Sequence, residues 1–259
     1  CRRPRKDILI RSRLRRPAGL YFSVPLLLLI LCAGCSGDTP ETTPSPAAST
    51  PATASGDPNL LANGGFELGA DPWITLAPEA GFEVTPEQAH SGGSSARLRM
   101  RDPADASGAK VYYLVQEINP DDFPDVVHGY YRVENWNKGT IRQYLQFVII
   151  AIGPKNFQSQ PDPHPNYQIR YPLAGINSPP FAISNAKFEF LGRAEPVLSE
   201  WIPFQANVRA DFQRLWNQVP DGYERLRLLF EVRWDGKVAG DGTPAADVYY
   251  DDLYAGPEG

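Results

Sequence analysis

Cysteine is scarce, and it is absent from most of the chain. The 259 residues include only Cys1, Cys32 and Cys35, all near the start. The remainder can form no disulfide and offers no catalytic thiol, so its stability must come from a packed core. Histidine is nearly as rare. His90 fits a turn, His164 sits between prolines, and His128 completes the set. No H-E-x-x-H, P-loop or G-x-S-x-G pattern occurs. Paired carboxylates of the glycosidase kind are the one catalytic arrangement left open, and the chain is short for a sandwich plus a catalytic domain. Basic charge is lacking beyond the start. Residues 1–20 hold eight of the 25 Lys/Arg and one of the 30 Asp/Glu, leaving 17 basic against 29 acidic residues, a net −12. Such an acidic body excludes nucleic acid, whose phosphates demand a basic face. Long apolar runs are also missing, apart from Leu20 to Ala33. That run is short for a membrane span and suits the apolar region of a signal peptide.

The basic start leads into "LYFSVPLLLLILCAGC". Small residues before Cys35 resemble the lipobox of bacterial lipoproteins, with Cys32 where that family usually has Leu. The resemblance implies cleavage before Cys35 and a lipid on its thiol, so that residues 1–35 are a lipoprotein-type signal peptide. An uncleaved N-terminal anchor helix is the alternative. Residues 36–57, "SGDTPETTPSPAASTPATASGD", have no aromatic and no large aliphatic residue. They cannot bury enough surface to offset the entropy of ordering, and their prolines favour an extended spacer. The expected address is the bacterial cell envelope, at the outer membrane or cell surface, with lipid anchoring through Cys35.

From residue 58 onward the periodicity is mostly two. "SARLRMR" (95–101), "AKVYYLVQEI" (109–118), "VVHGYYRVEN" (126–135), "TIRQYLQFVIIAI" (140–152), "YERLRLLFEVRW" (223–234) and "DVYYDDLYAG" (247–256) read as strands. Turn signals rich in proline, glycine, Asn and Asp separate them. One helix is expected over 207–222, with Val208, Phe212, Leu215 and Trp216 on one stripe, Asn207 as N-cap and Pro220 to Gly222 as the stop. The expected fold is all-β, an antiparallel β-sandwich or jelly roll with one short helix and a long proline-rich loop. That loop is residues 153–197, with eight prolines and a short "KFEFLG" strand. Its aromatics argue for an ordered excursion packed over one face.

"NLLANGGFELGADPW", "FEVTPEQAHSGGSSARLRM" and the closing "DVYYDDLYAG" resemble the galactose-binding-like jelly roll, and most closely its CenC-type carbohydrate-binding modules. The resemblance implies that residues 58–259 form one such domain. It also implies a structural calcium where the first and last strands meet, held by Glu67 and Asp251, with Asp252 as the alternative. Residue alternation adds that Asp251 shares a face with Leu253, and would be costly there unless paired or metal-bound. The bland alternative is that these carboxylates are solvated or hydrogen-bond the neighbouring turn.

Sugar recognition uses flat aromatic faces with amide, carboxylate and guanidinium groups reading hydroxyls. The candidates are Trp136, in the turn "ENWNKG", and Tyr131, Arg142, Tyr144, Gln146 and Trp234 on central strands. Trp73 reads as core, and core packing competes for Trp234. The expected function is non-catalytic binding of carbohydrate by a tethered lipoprotein. The alternative is a structural lipoprotein whose partner is an envelope protein.

Overall fold

The structure, a computed structural model, describes residues 58–159, 162–179 and 183–259. The expected signal peptide, Cys35 and the expected 36–57 spacer lie outside the described residues.

Among the described residues ten strands are formed: β1 (Phe82–Thr85), β2 (Ser95–Arg101), β3 (Gly108–Ile118), β4 (Val126–Asn137), β5 (Gln143–Ile152), β6 (Asn166–Ala174), β7 (Ala186–Phe188), β8 (Trp201–Ala206), β9 (Arg225–Lys237) and β10 (Ala245–Gly256). They make two five-stranded sheets, ordered β1-β2-β10-β4-β8 and β3-β9-β5-β6-β7. All pairs are antiparallel except β6 with β7, so the expected sandwich is mixed at one edge. Period-two alternation turns Leu226, Leu228, Phe230, Val232 and Trp234 of β9 inward, opposite Leu145, Phe147, Ile149 and Ala151 of β5. Rings fill the space between the sheets. Phe147 stacks on Tyr171 at 4.4 Å, and Phe230 meets Phe147, Phe204, Tyr250 and Trp73 at 5.6–6.2 Å. Trp73 is core, as expected, with its indole N–H donating to the Asn63 carbonyl at 3.0 Å.

The helix α1 (Val208–Trp216) is shorter than its sequence suggested. It stops at Asn217, which adopts the left-handed conformation at φ 61°, before Pro220 is reached. Asn207 precedes it but makes no side-chain cap bond. Val208, Phe212 and Trp216 are buried, with Phe212 edge-on to Phe123 and Trp216 edge-on to Tyr167. Because Phe123 precedes β4 and Tyr167 lies on β6, α1 touches both sheets and closes one end of the sandwich.

The excursion over 153–197 is more regular than expected. It contains β6 and β7. In β6, Tyr167, Ile169, Tyr171 and Leu173 are buried at alternate positions. Pro172 lies on the outer face beside a register shift, where its missing N–H is tolerated.

Two expectations are corrected, one at the opening motif and one in the closing strand. Residues 61–72 form consecutive turns rather than a strand, so Glu67 is exposed and Leu68 is 83 % exposed. Phe66 dives inward at φ 59°, joining Leu61 in the core. The segment before it lies along β10: Leu60 N–H donates to Ala255, and Leu253 N–H donates to Gly64. Gly64 is obligatory there, since a Cβ would stand 2.0 Å from the Leu253 carbonyl oxygen. In β10 a register shift falls between Asp251 and Tyr254, with Asp252 at φ 50°. The shift breaks the alternation. Tyr250 and Leu253 both join the core, while Asp251 pairs with Tyr130 on the outer face. Asp251 therefore does not share Leu253's face.

Candidate functional site

The carboxylates Glu67, Asp251 and Asp252 surround one turn, His90 to Ser94. Glu67 Oε1 accepts from Gly93 N–H and Ser94 N–H, both at 2.9 Å. Asp251 Oδ2 accepts from His90 N–H at 2.7 Å and Ser91 N–H at 3.3 Å, and its Oδ1 accepts from Asp252 N–H at 2.8 Å. Asp252 takes the Ser91 hydroxyl on Oδ1 and pairs with His90 Nδ1 through Oδ2, each at 2.6 Å. Burial pushes the Asp251 carboxyl up to about 6, against the pull of its N–H donors. No group of three or more His, Cys, Asp or Glu able to hold a metal occurs among the described residues. Calcium needs several converging oxygens. Here Glu67 Oε1 and both oxygens of Asp251 face N–H hydrogens, so this donor set does not fit the expected cation. The neighbouring-turn alternative describes these bonds.

The six expected ligand residues are scattered. Tyr131 is 6 % exposed and packs inward, tilted against Phe204. Trp234 also points inward, and its indole N–H donates to buried Asp102 at 2.7 Å. Both are core residues, because they fall on the inward phase of their strands. Trp136 lies on β4 rather than in a turn. It is half-buried, and its indole N–H donates to Glu195 Oε2 at 2.9 Å. Arg142 precedes β5 and is exposed.

Tyr144 and Gln146 come together on the outer face of the β3-β9-β5 sheet, but they are fully buried there. Glu231, Arg233 and Asp235 stand opposite on β9 and are also buried. The Tyr144 hydroxyl donates to Asp235 Oδ2 at 2.9 Å, and the Arg233 guanidinium donates to Asp235 Oδ1 at 2.5 Å. Gln146 donates its amide to Glu231. Burial drives the Tyr144 hydroxyl well above its ordinary value. For Arg233, burial works against the charge, and Glu231, Tyr144 and Asp235 more than compensate, so it stays cationic. Gln146 Oε1 and Arg233 Nε have no hydrogen-bond partner among the described residues. Unmet polar atoms of this kind are costly in a purely structural network.

A pocket of ≈ 320 Å³ opens at the end of this polar face. Lys138, Ile141 and Arg142 come from the β4–β5 connection, and Gly175, Ile176, Asn177, Ser178, Arg193 and Glu195 from the excursion after β6. Gly175 makes the approach possible. At φ 95° it turns the chain away from β6, and a Cβ there would sit 2.5 Å from the Gln143 carbonyl oxygen. Glu195 is held from two sides, by the Trp136 indole and by Lys138, which also donates to the Gly175 carbonyl at 3.0 Å. Arg193 donates to Asn177 O at 2.8 Å and stacks on Phe190 at 4.1 Å. Cations, a carboxylate, an amide and a hydroxyl thus converge on one concavity, a composition that reads hydroxyl groups. Sequence reasoning found Arg142 and Trp136 but missed their partners, because Asn177, Arg193 and Glu195 lie in the excursion. The available signal was Gly175 directly after an alternating run.

A second, apolar groove of ≈ 360 Å³ adjoins it, with Tyr131, Leu173, Leu191, Val197, Ile202 and Phe204 in its walls.

No family model matches the chain, and no curated protein matches it. Solved structures similar to it include carbohydrate-binding modules with a β-sandwich fold, and also a putative glycoside hydrolase and a xylanase. One is TmCBM61 in complex with beta-1,4-galactotriose, at 14 % identity and TM-score 0.42, over 77 % of this chain and 99 % of that one. Another is the CBM22-1 xylan-binding domain from Paenibacillus barcinonensis Xyn10C, at 17 % identity and TM-score 0.39, over 80 % of this chain and 100 % of that one. A third is the non-crystalline cellulose specific module CBM28, at 13 % identity and TM-score 0.38, over 76 % and 95 %. At such identities and scores, a likeness says nothing of what this chain binds.

Proposed function

We propose that this chain is a non-catalytic carbohydrate-binding protein, held at the bacterial envelope by a lipid on Cys35. The observation that carries the ligand class is the polar pocket at Arg142. Arg142, Lys138, Asn177, Ser178, Arg193 and Glu195 line one space there. A bound sugar would bridge hydroxyls between Arg142 and Glu195. Trp136 acts on the ligand through Glu195, which its indole orients. Ion-paired groups already fixed in place lose little freedom on binding, which favours affinity.

The calcium reading forms no part of this proposal, because Glu67 Oε1 and both oxygens of Asp251 already accept from backbone N–H groups. The envelope-protein alternative draws on the apolar groove beside Tyr131 and on exposed Leu191, Val197 and Leu198. A glycan array probed with the full chain and with Trp136→Ala separates the two. Binding to one glycan class that weakens in the variant supports the carbohydrate reading. No binding from folded protein overturns it in favour of a protein partner.

A further inference from the structure

The outer face of the β10-β4-β8 sheet meets water, yet it carries two stacked pairs of rings. His128 stacks on Tyr254 at 4.5 Å and 11°, and Tyr130 stacks on His90 at 3.5 Å and 16°. Trp201 stands edge-on to His90 at 5.7 Å. His128 and Tyr130 are two residues apart on β4, so they share a face with bases about 6.8 Å apart. A pocket of ≈ 370 Å³ is lined by both of them. Gly129 and Phe204 also line it, while Pro203 and Gln205 close its side across β8.

A flat ring lying in this pocket can meet these rings at van der Waals distance, about 3.5–4.0 Å between carbon atoms. Among the described residues no Asp, Glu, Lys or Arg lines the pocket. Burial holds the His128 imidazole below its ordinary value, so that wall is uncharged at neutral pH. Exposed Gln205 adds one amide able to donate and accept at the rim. An uncharged ring with apolar faces and a hydroxyl-bearing edge matches this lining. A protein's aromatic side chain would fill the walls and leave the amide unused.

We infer that the pocket lined by His128, Tyr130, Pro203 and Gln205 is a second saccharide site, on the sheet opposite the Arg142 pocket, taking one terminal ring of an uncharged glycan. The inference rests on the carbohydrate reading for its ligand class and not for its residues.

The test is retardation of the full chain in native gels containing soluble xylan, galactan or β-glucan. The chains compared are the parent, Arg142→Ala, Gln205→Ala, His128→Ala, and each of the last two combined with Arg142→Ala. Gln205 is exposed, so its variant leaves the core untouched, and thermal melts confirm folding of the others. Arg142→Ala is expected to keep residual retardation, which Gln205→Ala or His128→Ala weakens roughly two- to tenfold. Retardation abolished by Arg142→Ala and unchanged by Gln205→Ala and His128→Ala overturns the second site and leaves the first standing. No retardation of the folded parent on any polymer overturns both. Imidazole NMR resonances of His128 supply an independent readout. If tryptophan amide moves them and the oligosaccharides do not, the pocket holds a protein side chain and the inference fails.

Discussion

Replacing Asp102 tests the assignment of Trp234 to the core. Asp102 is 4 % exposed and accepts from three donors: the Trp234 indole at 2.7 Å, Lys110 at 2.9 Å and the Tyr112 hydroxyl at 3.1 Å. In Asp102→Ala the indole and the phenol lose their acceptor inside the protein. Each such loss costs about 1–3 kcal/mol, whereas partly exposed Lys110 turns to water at little cost. The expected total is about 3–5 kcal/mol, a large share of the roughly 5–15 kcal/mol that holds a domain together. Asp102→Asn keeps one carbonyl oxygen for the indole and should lose about 1–2 kcal/mol. Urea unfolding followed by tryptophan fluorescence reads both as shifts in midpoint at constant slope. A loss below about 1 kcal/mol in the alanine variant would refute the reasoning, as would equal losses in the two variants. Glycan binding should survive in Asp102→Asn, since this cluster lies between the sheets.

Further outcomes follow from the same contacts. The Asp251 carboxyl sits at about 6 in the folded chain against 3.8 ordinarily, so between those values the folded chain holds a proton that the unfolded chain has lost. Its contribution therefore favours folding below that window and fades as pH rises through it. Melting curves of parent and Asp251→Asn from pH 4 to 7 should differ in slope, and parallel curves would contradict the burial argument. Melting in EDTA and in excess calcium should coincide, because a native-state ligand would raise the midpoint. A rise of several degrees in calcium would restore a cation at Glu67 and Asp251. Gly64→Ala forces a Cβ onto backbone and should cost at least about 1–3 kcal/mol. Gly65→Ala, whose nearest neighbour is 3.7 Å away, should be close to neutral by the same unfolding assay.

Much of the sandwich was legible because burial of one face imposes period two. The run 95–101 matches β2 end to end, and the main runs fall on β3, β4, β5, β9 and β10 within a few residues. A proline hid one strand. Pro172 and its neighbours made β6 read as loop, although Pro172 lies on the outward phase of its strand. The short β8, which carries Pro203, was not read at all. Local alternation also cannot reveal a register shift, so Asp251 was assigned to the wrong face. The site was legible only in part for a related reason. Arg142 and Trp136 adjoin recognisable strands, whereas Asn177, Arg193 and Glu195 reach the pocket through chain whose path is set by Gly175 and by tertiary contacts. Tyr144 and Gln146 were read as ligand candidates on a central strand, but no pattern showed that Glu231 and Asp235 would bond to them there.

Titration calorimetry of the full chain with the best glycan from the array, set against Arg142→Ala, tests the proposed pocket most directly. A guanidinium that donates to sugar hydroxyls contributes roughly 1.5–3 kcal/mol, so the variant should bind about ten- to a hundredfold more weakly while melting like the parent. Equal affinity in the two proteins would contradict the account and move the binding site away from Arg142.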